Sequence, residues 1–174
     1  MKQPTIRPTQ VERFFREDDI IVSKTDLKGH ITYVNETFMK IADYTEEELL
    51  GQPHSIIRHP DMPRCVFKLL WDTIEKRQEI FAYVKNMAKG GDYYWVFAHV
   101  TPTFDAASRV IGYHSNRRVP ERNQVELFSG LYSQLLQEER RHADWKAGMR
   151  SATAMLMSIL AEKGMDYERF MFSV

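Results

Sequence analysis

The sequence predicts an α+β domain, with short helices on one face of a five-stranded antiparallel sheet and a long C-terminal helical extension. Three observations predict it. Two short β-rich runs lie near the N-terminus and three longer ones lie between residues 80 and 118. The stretch between them, 35–77, carries helix caps and apolar residues at helical spacing instead of alternation. Beyond Pro120, residues 122–163 contain no proline and keep an apolar face at helical spacing. Strand pairs joined by an all-helical crossover leave a cavity between the sheet and its helices.

The elements follow in chain order. Residues 1–18 are polar, with Pro4 and Pro8, and place Val11, Phe14 and Phe15 at helical spacing. This predicts a loose start and a short amphipathic helix that packs on the domain or on a partner. Ile20–Ser23 and His30–Val34 read as strands of a hairpin, since Asp26 and Gly29 between them are turn residues. Asn35 caps a helix whose stripe is Phe38, Ile41 and Ala42. Thr45 and Glu48 form a capping box for a second short helix, and Gly51 stops it. Residues 64–77 make a longer helix. Strands are then expected at 80–88, 93–104 and 110–118, with Gly90-Gly91-Asp92 as a tight turn.

In the extension, Val125, Phe128, Leu131, Tyr132, Leu135 and Leu136 form one apolar face. The polar stretch 137–142 interrupts it, and a second face runs from Trp145 to Leu160. A continuous helix over this span would reach roughly 60 Å at 1.5 Å per residue. The extension therefore either breaks in the polar stretch or projects toward a partner. Gly164 ends it, and residues 165–174 form an apolar-aromatic tail. The organisation expected is an N-terminal cap segment at 1–18, one domain at 19–119 and the extension at 120–174.

Composition narrows the function. Lys and Arg total 24, as do Asp and Glu, so no bulk charge recruits nucleic acid or an anionic membrane. The single cysteine, Cys65, excludes an internal disulfide framework and a multi-cysteine metal site, and reads as a buried small hydrophobe. No apolar run is long enough for a membrane span, and no signal peptide is read, so a cytoplasmic protein is expected. No nucleophile, base and orienting group stand together, so the chain is expected to be no enzyme. His99 and His114 fall on adjacent strands without a third ligand nearby, and no metal site is expected.

The loop Ser55–Pro63 carries the densest chemistry. It sets Arg58, His59 and Asp61 within four residues, between prolines that stiffen the backbone. Arg58 has the planar fork that suits a phosphate or carboxylate, or else pairs with Asp61. Asp61 is an N-cap for a helix at 62–77 or a ligand group. Asn86 sits mid-strand, where an amide needs a side-chain partner. Trp71, Phe38, Tyr44, Phe67, Tyr83, Phe97 and Tyr113 read as core aromatics.

Three runs, TDLKGHITYVNETF, YTEEELLGQPHSIIRHPDMP and VKNMAKGGDYYWVFAHVTP, together resemble the PAS domain over residues 19–118. More narrowly they resemble the PAS domains of aerotaxis transducers and the stand-alone PAS proteins of energy taxis. The resemblance implies a cytoplasmic redox or energy sensor that holds FAD and relays its state by protein contact. The partner implied is a chemoreceptor or kinase. Family flavin-site positions fall on Arg58, His59, Asp61 and Asn86, with Trp71 as an aromatic near the cavity. His59 would hydrogen-bond a flavin edge or ligate haem iron, or serve as a structural imidazole. Flavin-binding members carry a tryptophan six residues before the asparagine, where this chain has Ile80 with Phe81 beside it. The alternatives are a cofactor-free adaptor, a haem sensor or a small-molecule sensor using Arg58. Self-association as a homodimer through the apolar helical faces is also expected.

Overall fold

A computed structural model describes residues 6–173. Its centre is a five-stranded antiparallel sheet in the order β2-β1-β5-β4-β3. The strands are β1 (Ile21–Thr25), β2 (Ile31–Val34), β3 (Ile80–Met87), β4 (Tyr93–Phe104) and β5 (Val110–Arg118). The first hairpin turns on Asp26, whose carboxylate accepts hydrogen bonds from the Lys28 and His30 backbones, both at 2.8 Å. It joins the other three strands through β1 and β5, with Ser23 opposite Ser115 and Ile21 opposite Arg117.

Three helices cross one face: α1 (Glu36–Ala42), α2 (Glu46–Leu49) and α3 (Arg64–Ile74), with a 3-10 turn at His54–Ile57. Asn35 caps α1 through Phe38 N–H and also bonds Val22 N–H and the Ile20 carbonyl, tying the helix to β1. The capping box on α2 forms as the sequence reads, with Thr45 and Glu48 exchanging bonds. The cap expected of Asp61 does not form. Helix α3 starts at Arg64 behind Pro63, with no side-chain cap from its own segment. Its Cys65 N–H is instead capped by the Glu139 carboxylate at 2.8 Å, from 74 residues away.

Strand alternation separates the sheet's two faces. Ala82, Val84, Asn86, Tyr94, Val96 and Ala98 are buried toward α1–α3. Phe81, Tyr83, Trp95 and Phe97 turn to the other face, where the extension covers them. Phe81 stacks on His99 at 4.2 Å and meets Phe172, so it does not replace a ring on the inner face. Ile80 does lie on the inner side, packed with Ile74 and Tyr113.

The extension is broken. Helix α4 (Arg122–Arg140) ends in the polar stretch, α5 (Trp145–Glu162) returns antiparallel to it, and α6 (Tyr167–Phe172) follows. Asp144 caps α5 through Lys146 and Ala147 N–H. Gly148 permits the close pass, since a Cβ there would sit 2.3 Å from the Glu139 carbonyl oxygen. Phe128 stacks on Tyr83 at 4.2 Å, and Tyr132 donates to the Tyr83 carbonyl on edge strand β3 at 2.7 Å. Leu135, Ala152, Leu156, Leu160, Phe170 and Met171 are also buried. Much of the apolar faces on which self-association was expected is thus covered within the chain itself, although Trp145 stays 51% exposed.

The N-terminal helix is absent over the described residues 6–18; residues 1–5, including Pro4, lie outside them. The segment runs extended along the start of β4, with Tyr93 bonded to Val11 and Arg13 and Thr9 bonded to Gly91. Arg13 fixes it by an ion pair to Asp92 at 2.9 Å. Val11 and Phe14 remain exposed and only Phe15 packs on the core. The helical spacing was real, but free backbone groups on the neighbouring strand offered bonds that a one-turn helix cannot match.

Candidate functional site

A cavity of about 260 Å³ lies between the inner sheet face and α3. Phe67, Leu70, Trp71 and Ile74 from α3 and Val84 from β3 form its apolar wall. Its polar groups include Arg58 from the loop, Asn86 from β3, Ser23, Ser115 and Arg117 from β1 and β5, Lys28 from the first hairpin turn, and His54 and Ser55 from the 3-10 turn. Among the described residues the wall carries Lys28, Arg58 and Arg117 and no Asp or Glu.

Arg58 is positioned by backbone pairing with Asn86, which laces the loop to the sheet edge. Its guanidinium carbon lies 4.1 Å from the Phe67 ring centre, and Nη2 reaches the Met62 carbonyl at 3.5 Å. It makes no pair with Asp61. Burial pulls its pKa down, Arg64 adds to that, and Glu139 opposes it. Trp71 stands edge-on to Tyr113 with ring centres 5.6 Å apart. It fits beneath the first hairpin because Gly29 has no side chain; a Cβ there would lie 3.0 Å from the indole. Asn86 is 5% exposed and opens onto the cavity.

His59 and Asp61 lie elsewhere. Adjacent strand residues point to opposite faces. Asn86 faces the cavity, so Lys85 faces away, and the loop straddles this edge strand. Asp61 bonds Lys85 at 2.8 Å, and Lys85 lies 4.3 Å from the Tyr93 ring centre. Some burial pushes the Asp61 carboxyl up, but Lys85 holds it below its usual range. The His59 ring is fully buried, accepts from Asp61 N–H at Nδ1 (3.1 Å) and meets Tyr93 edge-on. That bond places the neutral ring's proton on Nε2, which has no partner among the described residues. Burial lowers its pKa to about 4, with Lys85 adding and Asp61 opposing, so His59 is neutral at pH 7. Neither residue lines the cavity, and His59 as placed could not ligate iron held there. Of the five sequence candidates, the fold brings Arg58, Trp71 and Asn86 together at the cavity. His59 and Asp61 brace the loop from behind.

Sequence reasoning passed over Arg117. It is 2% exposed, its Nη2 donates to Ser23 Oγ, and it lies 2.8 Å from His54 Nε2. Its Nη1 has no hydrogen-bond partner among the described residues. Burial drives the His54 pKa down to about 3, and the charge on Arg117 reinforces this, so the imidazole is a neutral acceptor. Alternation in β5 was the available signal: Tyr113, Ser115 and Arg117 share one face, and that face packs inward. His99, by contrast, is engaged by Glu79 at 2.6 Å on the outer side. Among the described residues no three metal-ligating side chains converge, and no helix is long and apolar enough to cross a membrane.

Comparison with known proteins agrees with this architecture. The family model described as PAS fold matches residues 31–117. The aerotaxis receptor of Escherichia coli (strain K12) is 38% identical over 127 residues, which is 73% of this chain and 25% of that protein. The nitrogen fixation regulatory protein of Klebsiella pneumoniae is 27% identical over 57% of this chain and 20% of its own length. The chain thus spans a quarter or less of these relatives. Among solved structures, the dark state of the blue-light photoreceptor Aureochrome1 LOV superposes with a TM-score of 0.56. It is 19% identical and the match covers 63% of this chain and 82% of that one.

Proposed function

The chain belongs to the PAS-fold family, and from that premise we propose that it is a sensory module whose inner cavity holds a ligand. One observation carries the reading. The space between sheet and helices is open and lined by cationic and amide groups, whereas a cofactor-free adaptor would close it with side chains. The role we read for it is signalling, in keeping with the sensory likeness.

The ligand we favour is FAD, because of the likeness to the aerotaxis receptor. The residues present fit the ring portion of such a group. Phe67, Leu70 and Trp71 offer an apolar slot, and Arg58 and Asn86 offer donors to ring carbonyls. At about 260 Å³ the cavity falls just below the roughly 300–1,000 Å³ of small-ligand pockets. It suits a ring system, and the remainder of a dinucleotide would extend beyond it. Ile80, at the position where the family resemblance implies a tryptophan, lies on the inner face of β3 packed with Ile74 and Tyr113 and brings no aromatic ring to that side. A bound flavin supplies reversible electron uptake. The chain's own contribution is to hold it, exclude water and pass the strain of altered charge to α3.

From α3 the path leads outward. Glu139 of α4 caps Cys65 of α3 and lies near Arg58, so a shift of the cavity wall is felt by the extension. The reading is that the extension presents this change to a signalling partner of the chemoreceptor or kinase type in the cytoplasm. The test is the absorption spectrum of freshly purified protein. Flavin bands, with flavin released on denaturation, are expected. A colourless preparation that takes up no added FAD would sink the flavin assignment, and a Soret band would replace it with haem.

A further inference from the structure

Arg117 poses a question that the flavin reading does not answer. Its guanidinium is buried, and its contacts are a hydroxyl, a neutral imidazole and the face of the Phe38 ring at 5.2 Å. No carboxylate pairs with it among the described residues, and one of its two terminal nitrogens donates to nothing. Burial lowers its pKa only to about 10, so it stays a cation at neutral pH. A cation held in the interior without a counter-charge is a standing cost, and native structures tolerate it where something else supplies that charge. Here the charged group lines a cavity whose wall contains two further cations, Arg58 and Lys28, and no acid. The missing partner is therefore to be sought inside the cavity.

We propose that Arg117 is the charge-selecting residue of this cavity and that the resident ligand presents an oxyanion, a carboxylate or phosphate oxygen, to its Nη1. Arg117 is suited to this because its planar fork already spends Nη2 on Ser23 and His54. The fork is thus oriented before the ligand arrives, and a charge-assisted bond to a fixed donor is the strong kind. The inference rests on the reading of the cavity as a ligand site and does not require flavin.

The test compares the whole chain with Arg117→Gln and Arg117→Lys. Each is melted in rising sodium succinate or sodium phosphate, with chloride adjusted to hold ionic strength, and each is separately passed through gel filtration after incubation with FAD. At least one oxyanion should raise the wild-type Tm in a saturable way. Arg117→Gln should lose that rise, and Arg117→Lys should keep a smaller one. Stabilisation by phosphate as an excluded solute would appear equally in all three chains and so does not mimic the result. Equal shifts in all three chains would overturn the proposal. So would a wild type that responds to neither oxyanion while ligand-free Arg117→Gln melts below it, which assigns Arg117 to the frame. If Arg117→Gln does not fold, the comparison with Arg117→Lys decides. A chain that retains FAD equally with and without Arg117 overturns this role and leaves the flavin reading standing. An Arg117-dependent oxyanion shift in a chain that takes no flavin does the reverse.

Discussion

Replacing Glu139 by alanine should loosen the cavity from a distance. Glu139 is 8% exposed, and its carboxylate accepts from Cys65 N–H at 2.8 Å. Pro63 gives α3 no side-chain cap, so this contact is the one that satisfies that donor in the helix's first turn. A hydrogen bond to a charged acceptor is worth roughly 1.5–3 kcal/mol. Loss of a helix N-cap costs about 0.5–2 kcal/mol, so about 2 kcal/mol is expected for Glu139→Ala. Little is lost to solvent screening at this burial. For a chain of this size that corresponds to a fall of roughly 4–8 °C in Tm. Glu139→Gln keeps an acceptor and loses only the charge on the helix dipole, about 0.3–1 kcal/mol. Thermal melts give the stabilities, and hydrogen exchange should show faster exchange at Cys65 and along the first turn of α3. Two results would refute the reasoning: Glu139→Ala within about 0.5 kcal/mol of wild type by the same scale, or Glu139→Gln as damaging as Glu139→Ala.

Three more outcomes are expected. Acid should destabilise the chain well above the carboxylate range, because His54 and His59 titrate near 3 and 4 folded against about 6.5 unfolded. The unfolded chain binds more protons below pH 6.5, so stability is full above that pH and falls through 6 and 5, by a few kcal/mol in all; urea midpoints that stay flat between pH 7.5 and 5 would contradict this. Burial, with Glu139 nearby, pushes the Cys65 thiol up to about 12, so iodoacetamide should label it only after unfolding. Gly148→Ala, which in an isolated helix would stabilise by about 0.5–1 kcal/mol, should instead destabilise by about 1–3 kcal/mol through overpacking against the Glu139 carbonyl; a raised Tm would show that α4 and α5 do not pack this closely.

The five strands and the caps at Asn35 and Thr45 were legible because each is a local event. Alternation declares a strand, and a side-chain oxygen three residues before an amide declares a cap. Arg58, Asn86 and Trp71 were legible through their motif. Asp61 misled because a carboxylate two residues before a proline and a helix has the pattern of a cap, while Lys85 offered a charged partner that only the tertiary fold brings to 2.8 Å. Val11, Phe14 and Phe15 misled for the same kind of reason: the spacing fitted a helix, but neighbouring backbone on β4 competed for the segment.

By itself the sequence determined the fold class and the order of the five strands, which follow from short-range periodicity and local turn chemistry, while the family showed in the resemblance of three motif runs. Only the tertiary structure decided which polar groups share the cavity. Register and strand alternation put Asn86 and Arg117 inside and sent Lys85, with Asp61, to the far side of the same edge. It also decided that the extension folds back, because α4 and α5 bury each other's apolar faces and α4 supplies, from 74 residues away, the cap that α3 lacks. Pairings of that sequence separation leave no mark in local pattern, and they set both the charge and the walls of the site.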